Sequence, residues 1–346
     1  MITRRSALAG AALIPIMGAA PHAQPANEEA LVASARKEGS VVWYTTLIVN
    51  QAILPLKAAF EKKYPGVTLQ YVRNDEAPTA IRLMNEAKGG RPQADVFDGL
   101  SIMERLRREG FLASYTPPTS SKFPSQMRDK DGFWTAILLY VFAPGVNTSL
   151  IPPGERPTNY EDLLNPKWKS KMAWNPSSVA GAIGFVGSVL LSRGETNGMR
   201  YLEALSQQEV VNIEASSRAI LDQVIAGEYP IALMCFNNHT VISALKGAPS
   251  DWLRIQPVPV AFDAVSVLKD APHPNAARLL INFLTSEVGQ NVLRSANYIP
   301  AMNGIEALSA DLKPETAGLT ATYLFPAEID QNLGRWQDVV KRLFRR

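Results

Sequence analysis

Short apolar runs alternate with amphipathic stretches through the first third of the chain. Apolar runs bounded by turn residues predict buried strands, and apolar positions three to four residues apart predict helices. This alternation of strand and helix predicts a parallel sheet with helices on both faces. The predicted strands are 41–44, 67–72 and 94–98, and the predicted helices are 28–38, 53–63, 77–87 and 102–109.

Two longer apolar segments, 135–143 and 258–268, enclose a second set of strands and helices. After the second segment, helices at 274–285 and 287–296 return the chain to the first set. A chain that crosses twice between two sets predicts an α/β fold of two lobes joined by a two-strand hinge. The second set comprises predicted strands at 172–174 and 230–236 and predicted helices at 179–191, 198–205 and 217–226.

The crossing points divide the chain into predicted domains. The first lobe takes residues 27–142 and 259–305, and the second lobe takes residues 143–258. Residues 306–346 are predicted to form a C-terminal helical segment that packs on the lobes. We expect the hinge to lie in the two long apolar segments.

The amino terminus has the pattern of an export signal. Arg4 and Arg5 precede a short, small-residue apolar stretch at 7–20. This pattern predicts a cleaved secretory signal, assigned to 1–26, and the paired arginines also fit twin-arginine export. The stretch is too short to span a membrane, as is the glycine-rich run at 179–191. We therefore expect a periplasmic protein.

Composition and charge exclude further classes of function. Hydrophobic residues make up 46% of the 346 residues, which is enough for a globular core of about two domains. The formal net charge of +3 includes two arginines of the signal, so the mature chain is close to neutral. Without a basic stripe we expect no nucleic-acid partner. The single cysteine, Cys235, lies in an apolar run and is predicted to be a buried, inert thiol.

The stretch 157–172 predicts a turn, a short helix and the start of a strand. Thr158 and Glu161 are spaced as a capping box, and Asn165 before Pro166 ends the helix. From Glu161 onward the chain reads EDLLNPKWKSK, which resembles a segment of bacterial periplasmic solute-binding proteins, nearest to the ferric-ion-binding branch. The resemblance runs from about residue 40 to residue 301 and is strongest at 94–97, 166–171 and 279–293.

This resemblance implies a bilobal periplasmic-binding-protein fold of type II, whose lobes close on a small-molecule ligand. It also implies that the chain delivers this ligand to the membrane permease of an ABC importer. We expect a monomer that is not an enzyme and needs no cofactor.

Polar residues follow each of the first three predicted strands. In sheets of this kind ligands bind beyond the carboxyl ends of the strands, so we expect these loops to face the ligand. The candidate residues of the first lobe are Thr45, Thr46, Arg73, Asn74 and Ser101, with Tyr140 from the first crossing segment.

Two predicted helix starts and one loop supply the candidates of the second lobe. Ser177 and Ser178 precede the 179–191 helix, and Ser217 with Arg218 opens another helix. Free N–H groups at helix starts favour anions, and an arginine beside them predicts an anion pocket. The strand that contains Cys235 ends in a predicted polar loop, whose candidates are Asn237, Asn238 and His239.

That loop departs from the ferric-ion branch. The resemblance implies, for that branch, an asparagine pair followed by two tyrosines whose phenolates bind iron. His239 and Thr240 occupy those two positions here, and the loop after the first strand has no histidine. Ferric ion prefers anionic oxygen ligands, so we expect no iron binding through paired tyrosines and assign no metal ligands. The tyrosines considered as substitutes for the missing pair are Tyr44, Tyr140 and Tyr298, whose spacing indicates no iron site.

Three functions are compatible with these patterns. The favoured one is capture of a small organic anion, of the carboxylate or phosphonate type, for an ABC importer. The alternative is a ferric-ion or other metal-binding protein with a non-standard ligand set. A secreted enzyme is disfavoured, because the mature chain has only His239 and His273 and lacks nucleophile-elbow or metal-ligand spacing.

Overall fold

A computed structural model describes residues 28–344 of the chain. The predicted export signal at 1–26 lies outside the described residues. Within residues 28–344, no helix has both the length and the apolar character needed to cross a membrane.

Helices and strands occupy nearly all the positions that the hydrophobic pattern predicts. The helices are α1 Glu28–Glu38, α2 Leu54–Lys63, α3 Glu76–Lys88, α4 Met103–Arg108, α5 Ala182–Ser206, α6 Ser217–Ala226, α7 Asn237–Leu245, α8 Pro274–Leu284, α9 Glu287–Ser295 and α10 Pro326–Phe344. The strands are β1 Ser40–Thr45, β2 Thr68–Arg73, β3 Val96–Gly99, β4 Leu112–Ala113, β5 Thr135–Asn147, β6 Met172–Trp174, β7 Val211–Asn212, β8 Ile231–Phe236, β9 Ser250–Trp252, β10 Val258–Leu268, β11 Ile299–Pro300 and β12 Ala321–Tyr323.

One mixed sheet runs through the molecule in the order β2-β1-β3-β10-β5-β8-β6-β7. Strand β1 pairs in parallel with β2 and β3, and β6 pairs in parallel with β7 and β8. Between these two groups, β10 and β5 run antiparallel to each other. The predicted parallel pairing is therefore confirmed on both sides, and the two crossing strands form an antiparallel centre.

Strand β5 belongs to both halves of the sheet. Its residues from Thr135 to Val141 pair with β10, and those from Phe142 to Val146 pair with β8. All 13 residues are buried, as are all 11 of β10, because helices and loops cover both faces. Strand β10 then returns the chain to β3. The two-strand connection is thus confirmed, and the lobe boundaries at 142/143 and 258/259 stay predictions.

The break between the two halves of β5 is a bulge between Ala143 and Gly145. The Cys235 thiol donates a hydrogen bond to the Ala143 carbonyl at 3.2 Å. A Cβ atom at position 145 would lie 2.7 Å from the Cys235 sulfur, so glycine is required for this approach. The prediction that this thiol is buried is confirmed, and burial raises the pKa of Cys235 to about 12, as expected for an unreactive thiol.

The two predicted helices of the second set, 179–191 and 198–205, both lie within α5 Ala182–Ser206. A break at Gly194, whose φ of 72° and ψ of 168° are non-helical, separates α5 into two helical segments, as predicted. Only glycine adopts this conformation at little cost. The helix also begins at Ala182 rather than at residue 179, because a turn from residue 175 to 181 precedes it.

The predicted capping box is wrong. The Thr158 amide and hydroxyl both donate to the Asp162 carboxylate at 2.8 Å, and Glu161 pairs with Arg193 instead of reaching back. Residues Glu161–Leu164 form a single 3₁₀ turn, which is too short for the capping-box geometry of an α-helix.

Helix α10 holds the C-terminal segment against the rest of the fold. Trp336 is 1% exposed and lies over Gly187 of α5, where an added Cβ would come within 2.7 Å of the indole ring. At the other side, Asp330 pairs with Arg108 of α4. The helix therefore depends on one large buried side chain packed against a glycine.

Replacing Trp336 with alanine should lower the free energy of unfolding by about 3–5 kcal/mol, because the change removes a fully buried indole and leaves a cavity. Chemical denaturation measures this difference. Arg335→Ala, one residue away on the exposed side of α10, is the matched control and should cost at most about 1 kcal/mol. Equal losses for the two variants would contradict the packing described here.

Candidate functional site

Thr45 and Thr46 end β1 at the carboxyl edge of the sheet. The Thr46 amide and hydroxyl donate to one oxygen of Asp98 at 3.0 and 2.9 Å. The Thr45 hydroxyl is buried and accepts a hydrogen bond from the Leu47 amide at 3.1 Å. The loop after β1 is therefore fixed by a carboxylate at the end of β3.

Asp98 faces a second buried carboxyl group, that of Asp263 on β10. Both side chains are 0% exposed, and β3 and β10 pair in a register that sets Val265 opposite Asp98. One oxygen of Asp98 and both oxygens of Asp263 accept no hydrogen bond from a fixed donor among the described residues. A proton shared between the two carboxyl groups is the hydrogen bond that remains to them.

The environment of this pair favours such sharing. Burial raises the pKa of Asp98 from 3.8 to about 6, against the opposing effect of the Thr45 and Thr46 hydrogen bonds. Burial, followed by the negative charges of Asp98 and Glu76, raises the pKa of Asp263 well above its ordinary value. The two groups titrate as a unit, and this unit retains a proton more readily than two exposed aspartates would.

Aromatic side chains surround the pair. The Tyr140 ring centre lies 4.5 Å from that of Phe236 and 6.5 Å from that of Tyr298. Burial raises the Tyr140 pKa well above 10, with Asp263 as the next largest cause, and a hydrogen bond to Thr46 opposes the rise. Burial likewise raises the Tyr298 pKa. Both phenols therefore stay protonated at neutral pH.

The remaining candidates of the first lobe lie at the same edge of the sheet. Glu76 accepts hydrogen bonds from the Ser101 amide at 2.6 Å and from the Ser101 hydroxyl at 2.5 Å, so Ser101 is held by α3. The Asn74 amide donates to the Thr45 carbonyl at 3.3 Å. Arg73 lies 3.6 Å from Asp75 in an exposed pair.

In the second half, the turn before α5 meets the start of α6. The Ser217 hydroxyl donates to the Ala180 carbonyl at 2.7 Å, and the Ser178 hydroxyl accepts from the Ala180 amide at 3.0 Å. The two predicted helix starts are thus adjacent in space. Ser216 caps α6 by accepting from the Ala219 amide.

Ser177 and Ser178 do not cap a helix, contrary to the expectation that they open one. The Ser177 amide donates to the Asn175 side chain at 2.7 Å and its hydroxyl donates to Glu214 at 2.9 Å. Asn175 also donates to the Ala215 carbonyl at 2.7 Å, which joins the turn to the segment before α6. Ser177 and Ser178 are therefore turn residues beside the start of α6.

The predicted polar loop at 236–240 is wrong, because these residues begin α7. Phe236 has an extended conformation, Asn237 is the first helical residue, and the Thr240 hydroxyl donates to the Asn237 carbonyl at 2.7 Å. The helix start buries His239 and directs both asparagine side chains away from open solvent. A strand that passes directly into a helix needs no loop.

His239 and Arg218 lie next to each other. An Arg218 nitrogen is 3.5 Å from the His239 carbonyl, while the same guanidinium pairs with Asp222 at 2.7 Å. Burial, followed by the positive charge of Arg218, lowers the pKa of His239 to about 3. The imidazole is therefore neutral at physiological pH, with a buried Nδ1 that has no partner among the described residues.

Asn237 and Asn238 connect α7 to segments from elsewhere in the chain. The Asn238 side chain donates to the Asn297 carbonyl, just before Tyr298, at 3.0 Å. The Asn237 side chain donates to the Leu312 carbonyl at 2.7 Å, and its oxygen is buried without a partner among the described residues. The ring centres of His239 and Phe236 lie 5.1 Å apart. Helix α7 therefore joins the second-half candidates to the aromatic rings around Tyr140.

The structure therefore brings the predicted candidates into one continuous set of contacts, from Thr46 through Tyr140 and His239 to Arg218. Sequence reasoning missed Asp98, Asp263, Glu76, Phe236 and the contact of Tyr298. One signal was present in the sequence. Asp263 is the only charged residue in an 11-residue apolar strand, and aspartate is rarely fully buried without a partner.

Comparison with known proteins identifies the protein family to which the chain belongs. Residues 91–320 match the family described as bacterial extracellular solute-binding protein, and the chain belongs to this family. The Fe(3+)-binding periplasmic protein of Serratia marcescens is 24% identical over 258 residues, which cover 71% of this chain and 74% of that protein.

Two solved structures have the same fold. Iron-bound HitA from Pseudomonas aeruginosa superimposes with a TM-score of 0.72 at 23% identity, covering 87% of this chain and 99% of that one. The periplasmic binding protein AfuA from Actinobacillus pleuropneumoniae, with fructose-6-phosphate bound, gives a TM-score of 0.74 at 21% identity, covering 88% and 99%. The predicted type II periplasmic-binding fold is confirmed.

These findings confirm three expectations. The chain is a solute-binding protein of an ABC importer, and its relatives are binding proteins rather than enzymes. Those relatives are periplasmic or extracellular. One relative is a Fe(3+)-binding protein, and a protein of the same fold was solved with fructose-6-phosphate bound, so family and fold leave the ligand of this chain open.

Asp263→Asn should stabilise the protein at neutral pH and have less effect in acid. Because the folded pKa values of Asp98 and Asp263 are raised, protonation stabilises the fold. This contribution is fully present below the ordinary pKa of 3.8 and, for Asp98, is lost as the pH rises through about 6. Thermal melts from about pH 4.5 to pH 8 should show the melting temperature of Asp263→Asn rising above that of the wild type as pH increases.

The control for this experiment is Asp338→Asn, which changes an exposed aspartate of α10. Its melting temperature should follow the wild type at every pH. A difference between Asp263→Asn and the wild type that does not vary with pH would show that the carboxyl pair does not titrate as described.

Proposed function

We propose that this protein captures a small organic anion, of the carboxylate or phosphonate type, and presents it to the membrane permease of an ABC importer. The observation that carries the proposal is the meeting of the 175–181 turn, the start of α6 and Arg218 in the second half of the molecule. These are the residues from which the sequence predicts an anion pocket.

The physical basis is the supply of hydrogen-bond donors. The first N–H groups of a helix have no partner within it, and the helix dipole adds partial positive charge at the same end. Arg218, whose side chain is about one-third exposed, lies in the first turn of α6 and adds a full positive charge. Asp222 now pairs with this guanidinium, and a ligand anion would share it or displace Asp222.

The polar residues of the first half fit a ligand with further hydrogen-bonding groups. Thr46 and Tyr140 are in contact at the sheet edge, and His239 of α7 is linked to Tyr140 through the Phe236 ring. AfuA, which shares the fold, is a protein that holds a phosphorylated sugar. That relative supports the class of ligand and does not identify the ligand of this chain.

The hinge in this proposal lies in β5 and β10. The first lobe, residues 27–142 and 259–305, would close against the second lobe, residues 143–258, with 306–346 packed on the lobes. We further propose that the protein acts as a monomer in the periplasm after removal of the 1–26 signal. The bulge in β5 supports this hinge position, because the strand changes partners there.

A ferric-ion or other metal-binding function is the second candidate. Its support comes from the relatives that bind iron and from the buried oxygen atoms of Asp98, Asp263, Tyr140 and Tyr298. Against it, the positions after Asn238 hold His239 and Thr240, and burial keeps both phenols protonated. Among residues 28–344, no group of three histidine, cysteine or acidic side chains is placed to hold a metal.

Arg218→Ala should weaken anion binding roughly tenfold or more, because a hydrogen bond to a charged group contributes about 1.5–3 kcal/mol. Native mass spectrometry of the purified protein identifies the anion, and calorimetry measures its affinity. Arg200→Ala, an exposed arginine on α5, is the matched control and should bind as the wild type does. Unchanged affinity in Arg218→Ala would remove this arginine from the site.

Ferric citrate added to the ligand-free protein should leave it colourless. A ferric–phenolate pair absorbs visible light, and α7 offers His239 and Thr240 where such a pair would begin. Absorption spectroscopy with one equivalent of iron measures this. A coloured complex that is lost in Tyr140→Phe or Tyr298→Phe would overturn the anion proposal in favour of the metal one.

A further inference from the structure

We propose that the ion pair between Arg108 and Asp330 is a latch between the two halves of the molecule, and that helix α10 moves as part of the second half. The latch holds the halves in the arrangement seen in the structure and is released when one half moves relative to the other. This inference rests on the hinge of the proposed function and adds to it a contact that lies outside the candidate ligand site.

The first step is a third connection between the halves. Strand β11 pairs with the part of β5 that belongs to the first half. Farther along the chain, the Leu312 carbonyl accepts a hydrogen bond from the Asn237 side chain at 2.7 Å, and Asp311 pairs with Arg254 at 2.9 Å. Asn237 and Arg254 belong to the second half. After the crossings at β5 and β10, the chain therefore passes between the halves once more, and the C-terminal segment begins on the second half.

The second step is the firm attachment of α10 to the second half. Trp336 is 1% exposed and packs over Gly187 of α5. At the end of the helix, the ring centres of Phe344 and Trp174 lie 4.8 Å apart, and the Asn212 side chain donates to the Phe344 carbonyl at 2.6 Å. Separating α10 from these residues would expose a buried indole and a buried phenyl ring, which is costly.

The third step is the polar contact between α10 and the first half. Near the start of α10, Asp330 pairs with Arg108, the last residue of α4. The Asp330 side chain is only 12% exposed, so its carboxylate has little access to water and depends on the guanidinium for compensation. A pair whose cation is exposed breaks and re-forms at lower cost than a buried apolar contact. This end of α10 is therefore the one that can release.

The segment between β12 and α10 lies beside the proposed hinge. Strand β12 pairs with β10 at Val258 to Val260, and the ring centres of Phe325 and Phe262 lie 6.0 Å apart. In a hinge movement, residues next to the hinge move least, and displacement grows with distance from it. A rotation about β5 and β10 would therefore preserve the pairing of β12 and be taken up at contacts farther out, such as that of Arg108 with Asp330.

The test measures the distance between the halves by pulsed electron spin resonance, in protein freed of ligand by partial unfolding and refolding. Nitroxide labels at Ile81→Cys on α3 and Leu245→Cys on α7, both at exposed positions, report on the first and the second half. Cys235 is buried and stays unlabelled. In Asp330→Arg two positive charges face each other, so we expect the label distance to shift, or its distribution to broaden, by about 2 Å or more.

Matched variants separate the charge pair from general disruption. The exchange of charges, Arg108→Asp with Asp330→Arg, should restore the wild-type distribution. Glu195→Arg breaks an ion pair of α10 with α5 and changes the net charge equally. It should leave the distribution unchanged, because Trp336 and Phe344 still hold the helix on the second half.

Two further measurements complete the test. Raising the salt concentration from about 0.05 M to about 1 M should reduce the difference between Asp330→Arg and the wild type, because salt screens charges. If Asp330→Arg does not fold, Arg108→Asp changes the more exposed partner and should shift or broaden the distribution in the same way.

An unchanged distribution in Asp330→Arg and Arg108→Asp would overturn the latch. An equal change in Glu195→Arg, or a change that the exchange of charges fails to reverse, would also overturn it. Because no ligand is added, these outcomes are independent of anion capture. A charge-dependent distance in a protein that binds no anion would support the latch and overturn the proposed function, whereas anion binding with an unresponsive distance would do the reverse.

Discussion

The antiparallel pairing of β5 with β10 is the interaction on which the rest of the structure depends. In the sheet formed by the described residues, these two strands lie between the two parallel groups, β2-β1-β3 and β8-β6-β7. Every residue of both strands is buried, so their sequences are almost uniformly apolar. The same two strands hold the halves together, and in the proposed closure they would also let one half move relative to the other. At the bulge after Ala143, β5 stops pairing with β10 and begins to pair with β8.

Because every residue of β10 is buried, Asp263 is an unusual residue for this strand. A carboxyl group at the centre of an apolar, doubly covered strand destabilises the fold, and no ion pair with it is formed by the described cationic residues. Residues that break local rules without a structural gain occur most often at functional sites.

Much of the fold follows from the sequence. The spacing of apolar residues predicts the order of strands and helices. Longer apolar runs predict the two crossing segments and the burial of Cys235. The antiparallel direction of β10 against β3 is not visible, because periodicity is the same for both directions of pairing. The separation of α5 into two helical segments at Gly194 does follow from the sequence, because glycine adopts this non-helical conformation at little cost.

The site was less predictable than the fold. The polar residues after β1, β2 and β3 could be placed at one edge of the sheet because parallel strands end together. The Asp98–Asp263 pair could not, because it joins residues 165 positions apart in sequence through the register of β3 and β10. His239 illustrates the same limit, since its burial and lowered pKa depend on α7 starting directly after β8.

The central claim is that the protein captures a ligand by closing its two halves about β5 and β10. Small-angle X-ray scattering of the protein, first freed of ligand by partial unfolding and refolding and then saturated with the anion identified by mass spectrometry, tests it most directly. The account predicts a smaller radius of gyration in the saturated protein. An identical radius at saturating ligand, with binding confirmed in the same sample by calorimetry, would contradict it.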